Sequence, residues 1–464
     1  VSSRGVLSYD GTTLLTAARG AFGTLLLDPY NVRISDGTQT TGGGFSAGAD
    51  DSVINVTTLR AALASANVTV STGAAGSAGA QAGDITVAAP LTWSSGSRLT
   101  LEAARAVAIN VPVTIAGGGQ LTLTTATETV GTTTEPLLSF GNGASVTFAA
   151  NASQSGQALT INGTGYTLIR TLAQLDAVDG RSGVDGSAMT PHGPGLSGAY
   201  ALANDIDAAG TTFTTGVIAG GSTSLTEPTP FSGRLDGLGH AVRNLTIDGG
   251  NKYVGLIGYT TGTVRDIGVI GGSVRGLEAV GGLVGRNAGT ISQSHAAGAV
   301  SGSSGSGIGG LGGLVGRNDQ EITQSYATGA VDGSQAVGGL VGRNVSGSTV
   351  SQSYATGTVS GSLYVGGLAG GNAGTIRQSY ATGAVTGDIR LSEAVGGLVG
   401  FNFGTINQSY AAGAVSSAAS RPFQMGGLVG RAEGTVTASV WDTQTSGQPT
   451  SGAGTGYTTR QLQG

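Results

Sequence analysis

Val280-Gly-Gly-Leu-Val-Gly-Arg-Asn287, followed by Gly289-Thr-Ile-Ser-Gln-Ser294 and Gly298-Ala-Val300, is a phrase this chain writes repeatedly. The same order returns from Leu311, Val337, Val365 and Val395, with a weaker opening copy at Val254-Gly-Leu-Ile-Gly258 and a closing one at Met425-Gly-Gly-Leu-Val-Gly430. Measured from leucine to leucine (Leu256, Leu283, Leu314, Leu340, Leu368, Leu398, Leu428), the steps are 27, 31, 26, 28, 30 and 30 residues. A period of this size, with its slack held in loops, means a solenoid in which each unit buries its apolar side against its neighbours.

Helical units are excluded by composition, because each carries several glycines among β-branched residues and an interior glycine costs a helix roughly 1 kcal/mol relative to alanine. Short apolar runs such as Leu283-Val284, Thr290-Ile291 and Ala299-Val300, broken by Gly, Asn and Ser, predict about three brief strands per unit. The expected fold is therefore all-β: a right-handed parallel β-helix with short helical and loop excursions, its hand taken from that of parallel crossovers. Coils about 4.8 Å apart would make the six repeat steps a rod of roughly 29 Å.

Stacking aligns equivalent residues into columns. Asn287, Asn318, Asn344, Asn372 and Asn402 form one, and Gln293, Gln324, Gln352, Gln378 and Gln408 another, both expected as amide ladders bonded along the axis. Tyr326, Tyr354, Tyr380 and Tyr410 form a third. Ile291 and Val300 lie nine apart, so if both face inward a corner must shift the strand phase between them. Placing it near Ser292-Gln293 turns Ser294, Ala296 and Gly298 inward and the tyrosines outward; the opposite phase buries the tyrosines, and both remain open here. An outward tyrosine column could stack sugar rings or a partner's strands, or merely cover adjacent backbone.

Eighty-seven glycines with 10% charged and 5% aromatic residues describe a chain of small side chains, and 39% hydrophobic content suffices for a thin core. The formal charge is −5, with one lysine (Lys252) and no basic cluster, so nucleic-acid binding has no electrostatic footprint. There are no cysteines, which excludes disulfides, thiolate metal sites and cysteine nucleophiles and suits export. No apolar run is long enough for a membrane span, and Val1-Ser-Ser-Arg lacks the features of a signal peptide.

Four regions are expected. Residues 1–165 read as β-helix coils without a short repeat, with a helix over Thr58-Leu-Arg-Ala-Ala-Leu-Ala-Ser-Ala66 capping or flanking one of them and a Gly/Ala/Ser loop over 73–83. Residues 166–250 read as an excursion, with a two-turn helix over 171–178 and a long loop to Gly198, leading into the repeats of 251–442. Residues 443–464 lose the repeat and show no apolar face to cover the last coil, whose open strand edges would stack with a further segment or another molecule.

Parallel β-helices can also carry carbohydrate-cleaving sites, which need converging carboxylates, or a carboxylate and a base, on one face. Asp236 and His240 are the acid and histidine closest in sequence, with Asp205 and Asp207 upstream; the alternative is a tight turn at Asp236-Gly237 and a strand-capping His240. Asp319, Glu321, Asp332, Asp388 and Glu393 fall at variable positions and read as solvated loop charges. His295 takes the tyrosine slot in its copy, and His192 sits between prolines; three scattered histidines make a poor metal site. The Gly-Gly-x-Gly-x-Asp rhythm of calcium-binding repeats is missing, and the Gly-rich run 302–310 is an inserted loop with no phosphate-loop lysine, so no metal or cofactor is expected.

The unit Gly-Gly-Leu-Val-Gly-Arg-Asn with Gln-Ser-Tyr-Ala-Thr-Gly-Ala-Val resembles the GLUG repeat of large bacterial surface and secreted proteins of the filamentous-haemagglutinin type, over about 190 residues. Gly83-Asp-Ile-Thr-Val-Ala-Ala-Pro-Leu-Thr-Trp93, Arg98-Leu-Thr-Leu-Glu-Ala-Ala104 and Ile109-Asn-Val-Pro-Val-Thr114 resemble coils of the same exoproteins. That resemblance implies an exported, non-catalytic adhesin or filament segment at the cell surface, delivered by a partner outer-membrane transporter, contacting a glycan or cell-surface receptor or its own kind through the β-helix ends. The family's amino-terminal secretion domain, with its asparagine-proline motifs, is not seen. The runner-up function is a polysaccharide-cleaving enzyme built on Asp236 and His240.

Overall fold

The computed structural model describes residues 31–38, 52–72, 81–149, 156–221, 227–303, 309–388, 394–417 and 424–463, together with the backbone of three short earlier strands. The loop expected over 73–83 and the insertion at 302–310 lie largely outside these residues, as does Glu393. Stacked parallel coils form a β-solenoid of about 12 turns. A 15-stranded sheet runs its length, from Thr24–Leu27 to Thr435–Thr437.

The first half is a narrow three-walled solenoid with aliphatic residues at alternate positions, such as Leu99, Leu101, Leu121, Leu123, Val113 and Ile115, all buried. The helix expected near Thr58 begins at Val56 and ends at Leu63, with the Asn55 side chain accepting from the Thr57 N–H. Leu59 and Leu63 enter the core, and the helix packs on Leu91–Trp93, the outer strand of one wall.

Ala158–Ile161 and Thr164–Ile169 pair antiparallel, the one reversal in a sheet whose other neighbours are parallel. The core changes sides at the same place. Leu159, Ile161, Leu168 and Ala201 pack into the first core, whereas Ile169, Tyr200, Leu202 and Leu235 pack into the second. Reversing strand direction and core side together is a half-turn about the rod axis, so both halves keep the same hand. A hairpin of Thr127–Val130 and Thr133–Pro136 then crosses to the second half, where Thr133 Oγ1 donates to Thr290 Oγ1 at 2.8 Å.

The region expected as an excursion leaves the solenoid over 170–198 and re-enters it at Ala199–Leu202, which pairs parallel with Arg234–Asp236. Arg234–Asp236 pairs with Thr263–Arg265, Ala241–Arg243 with Gly268–Ile270, and Thr246–Asp248 with Ser273–Gly276, all parallel. Leu235, Val242 and Ile247 supply the same inward side chains as the repeats without their glycine-rich wording. The departures are the helix Leu172–Asp176, which gives way to a 3-10 turn at Ala177–Asp179, and the loop that follows.

In the repeat region each coil contributes to four sheets, one more than expected. The coil from Val284 runs Val284–Asn287, Thr290–Ser292, His295–Ala296 and Ala299–Gly302. Leu283, Leu314, Leu340, Leu368, Leu398 and Leu428 are all wholly buried. Glycine is required where coils touch: a Cβ on Gly357, Gly383 or Gly413 would lie 2.0, 1.9 and 1.9 Å from a carbonyl oxygen of the preceding coil.

The carboxy-terminal end is partly covered, contrary to the expectation of a bare last coil. Trp441 stands opposite Ala411, fills the space under Gly427 and donates from Nε1 to the Gln448 carbonyl at 3.0 Å. The chain then folds back: Ser451 Oγ accepts from the Val429 N–H at 2.8 Å, and Thr455–Tyr457 adds a parallel strand beside Val440–Asp442. The cover was unreadable because its apolar content is one tryptophan and the rest is hydrogen bonding. Thr435–Thr437 remains outermost in its sheet.

Candidate functional site

The corner that sets the tyrosines' direction is made by the glutamines. Gln293, Gln324, Gln352, Gln378 and Gln408 adopt φ of 49, 48, 48, 51 and 47°, the left-handed region that costs an L-residue about 1–2 kcal/mol. One such residue shifts the strand phase, so that Ile291 and Ala296, five apart, both face the core. The following Tyr326, Tyr354, Tyr380 and Tyr410 face outward. With His295 they make one column whose successive ring centroids are 4.8, 4.8, 4.9 and 4.9 Å apart, with interplanar angles of 8° or less. Tyr410 is 40% exposed. Burial pushes Tyr326, Tyr354 and Tyr410 above the ordinary phenol value and, with Arg243 contributing, holds His295 below its own.

The asparagines bond as a ladder. Nδ2 of Asn287, Asn318, Asn344 and Asn372 donates to Oδ1 of the next asparagine at 2.8, 2.8, 2.8 and 2.7 Å, and all five residues are buried. The glutamines do not: they align, but no hydrogen bond joins one glutamine side chain to the next among the described residues, because the left-handed corner leaves them at the surface. Gln293 instead accepts from Arg265 at 3.0 Å. The residue after each glutamine makes a ladder the sequence reading missed. The N–H groups of Ser294, Ser325, Ser353, Ser379 and Ser409 donate to Oγ of the serine one coil on, at 3.1–3.2 Å. Its signal was in view, a small hydroxyl residue at an inward position of every copy.

Asp236 and His240 are not a pair. Asp236 is fully buried against the first half of the chain, accepting from the Leu238 N–H at 2.8 Å beside Arg265, Asp266 and Glu135. Burial pushes its carboxyl up to about 7, opposed by Arg265 and reinforced by Asp266. His240 lies with Nδ1 3.1 Å from Asp205 and Nε2 3.0 Å from the Val146 carbonyl. Asp205 also pairs with Arg243 at 2.7 Å, and Asp207 accepts from Asn244 at 2.9 Å. Two of the acids expected to be solvated are not: Asp319 bridges Arg286 and Arg317 at 2.6 and 2.7 Å, and Glu321 is buried with Ser351 donating to it at 3.2 Å. Asp332 and Asp388 are exposed. The His192 carbonyl accepts from the Tyr200 hydroxyl. Among the described residues no cluster of His, Asp and Glu could hold a metal ion, and no helix is long and apolar enough to cross a membrane.

A repeat solenoid with a buried amide ladder and an outward aromatic column is the class these features define. Residues 333–360 and 361–386 match the family described as the GLUG motif. Halomucin of Haloquadratum walsbyi is 32% identical over 139 residues, 29% of this chain; the match spans 1% of halomucin's own length. A candidate immunoglobulin A1 protease from Bacteroides ovatus is similar in structure at 20% identity and a TM-score of 0.41, over 64% of this chain and 86% of that one, a likeness too distant to bear on activity.

Proposed function

We propose that this chain is a non-catalytic segment of an exported surface protein of the filamentous-haemagglutinin type, working outside the cell as a rod that attaches through its flank. The carrying observation is the column from His295 to Tyr410, five parallel rings in register on one flank of a rigid stack. The stacked rings cover one another's faces, so the column presents a row of ring edges and polar tips, which suits sugar hydroxyls and receptor surfaces, and a fixed column presents them without an ordering cost. The GLUG matches and the halomucin similarity support an exported repeat protein, and delivery by an outer-membrane transporter belongs to the same reading. Screening the intact chain against immobilised glycans and cell surfaces, alongside a Tyr354→Ala/Tyr380→Ala variant shown by circular dichroism to be folded, tests it. Attachment lost in the variant supports the reading; attachment equal in both removes the column from it.

End-to-end association is a second reading, favoured by the outermost strand Thr435–Thr437, whose free edge could pair with another copy. Sedimentation across a concentration series tests it, single rods throughout counting against it.

A further inference from the structure

The hairpin of Thr127–Val130 and Thr133–Pro136 lies lengthwise over one wall of the second half, across the strands Arg234–Asp236, Thr263–Arg265, Thr290–Ser292 and Glu321–Thr323. Its hold is polar. Thr263 Oγ1 donates to Glu135 at 3.0 Å, Arg265 donates to the Pro136 and Leu138 carbonyls, Arg234 donates to the Thr134 carbonyl at 3.4 Å, and Thr133 donates to Thr290. The turn reaches as far as Glu321, whose Cβ would lie 3.0 Å from a Cβ placed on Gly131. Under this cover Thr263, Arg265, Thr290, Ser292 and Glu321 are all buried.

The same wall then continues without a cover. Its next four strands are Thr349–Ser351, Thr375–Arg377, Thr405–Asn407 and Thr435–Thr437, as many as the hairpin crosses, each set spanning three coil steps or about 14 Å. Among the outward pairs on these eight strands, Thr-x-Arg occurs twice: Thr263 with Arg265, which holds the hairpin, and Thr375 with Arg377, in the same two columns. Arg377 is exposed, and among the described residues its side chain makes no ion pair and no hydrogen bond. The two arginines differ in their acids. Arg265 has Asp236 opposite it on the preceding coil and Asp266 next in sequence, whereas those two places around Arg377 hold Ser351 and Gln378. Glu321, two coils back, feels the charge of Arg377, but its carboxyl accepts from Ser351.

We propose that this bare stretch of wall is the docking face for an acidic extended segment of another protein, a strand or hairpin lying along the rod axis with a carboxylate received by Thr375 and Arg377. The chain's own hairpin shows what a Thr-Arg pair on this wall accepts: a glutamate on the hydroxyl and backbone oxygens on the guanidinium fork. With serine and glutamine in place of the two aspartates, the Arg377 fork is left for the incoming carboxylate, a charge-assisted pairing that its planar geometry suits. A second copy is not the occupant, because its hairpin is already held on its own Arg265. The face lies across the glutamine corner from the tyrosine column and does not depend on it, so either can fail while the other stands.

The probe is a labelled cyclic peptide of residues 127–136, whose two ends stand opposite each other in the hairpin and can be joined. Followed by fluorescence anisotropy, it should bind the intact chain, and Arg377→Gln should weaken it roughly tenfold or more, equivalent to about 1.4 kcal/mol. A peptide carrying Glu135→Gln should lose a similar factor. Gln378→Asp places an acid where Asp266 stands, at an exposed position with the same left-handed backbone, and should weaken the peptide by giving Arg377 an internal partner. Both substitutions are on the surface, and unchanged thermal midpoints confirm that the fold is kept. No peptide binding at millimolar concentration, or unchanged affinity in Arg377→Gln, overturns the proposal. So does concentration-dependent association of the chain alone that Arg377→Gln abolishes, which would make the occupant a second copy.

Discussion

Arg265 holds its Nε 3.6 Å from a carboxylate oxygen of Asp236, and both side chains are sealed between the two halves of the chain at 4% and 0% exposure. The same nitrogen donates to Asp266 at 2.7 Å, while its Nη atoms donate to the Pro136 and Leu138 carbonyls at 3.0 and 2.6 Å. One arginine thus ties the hairpin of the first half to the coils of the second. Three carboxylates, Glu135, Asp236 and Asp266, surround this single buried cation.

That excess of acid predicts a pH dependence. Burial first, then Asp266, raises the folded Asp236 carboxyl to about 7 from an ordinary 3.8. Between those values the unfolded chain releases a proton that the folded chain keeps, so stability falls as pH rises through the window, and the full penalty is present above about 7. Asp236→Asn keeps an acceptor for Leu238 and cannot ionise. The wild-type thermal midpoint should fall from about pH 5 to about pH 8, and the variant should lose much of that fall, at most about 3 kcal/mol. Parallel curves for the two proteins would remove Asp236 as the cause.

The asparagine ladder should respond by position. Asn344 donates to Asn372, accepts from Asn318 and accepts from Ser348 Oγ at 2.7 Å, all buried. Asn344→Ala strands partners on both sides and should cost about 3 kcal/mol, since an unsatisfied buried polar group costs about 1–3 kcal/mol. Asn402 ends the column, opposite Ala432, accepting from Asn372 with no asparagine beyond. Asn402→Ala should cost less. Urea unfolding compares the two, and equal losses would show that the bonds along the axis do not act as a ladder.

Periodicity carried most of the fold, because a solenoid repeats its packing wherever it repeats its words. The leucine steps, the asparagine column and the corner at Gln293 were legible for that reason. Features written once were not. The reversal between Ile161 and Thr164 is made by Asn162-Gly163, both at positive φ (46 and 77°), a two-residue hairpin signal that a reading by repeats passes over, while the accompanying change of core side leaves strand alternation intact and has no signature of its own. Asp236 lies within five residues of His240, yet Arg265, the residue that defines its surroundings, comes from the next coil and meets a hairpin more than a hundred residues upstream.

Glycine substitutions should divide by contact rather than by exposure. Gly357→Ala drives a methyl to 2.0 Å from the Gly329 carbonyl oxygen and must pry two coils apart, so loss of folded protein or a loss of several kcal/mol is expected. Gly250→Ala, with open space around it, should stay within about 0.5 kcal/mol of wild type. Thermal midpoints decide this, and a tolerated Gly357→Ala would mean the coils can separate locally at little cost.

Trp441 tests whether the tail guards the end of the rod. It occupies the position that alanine holds in the coils before it, and its indole meets the underside of Gly427 and holds Gln448 across the last coil. Trp441→Ala should cost about 3–5 kcal/mol by the cavity it leaves and should loosen the segment through Ser451 that satisfies the Leu428 and Val429 N–H groups. Freed strand edges recruit other strands. The variant should therefore associate at concentrations where wild type sediments as a single rod, and the new contact should disappear if the carboxy-terminal end is blocked by a fused globular domain. A destabilised variant that stays monomeric would show that the tail contributes stability alone and that the end needs no guard.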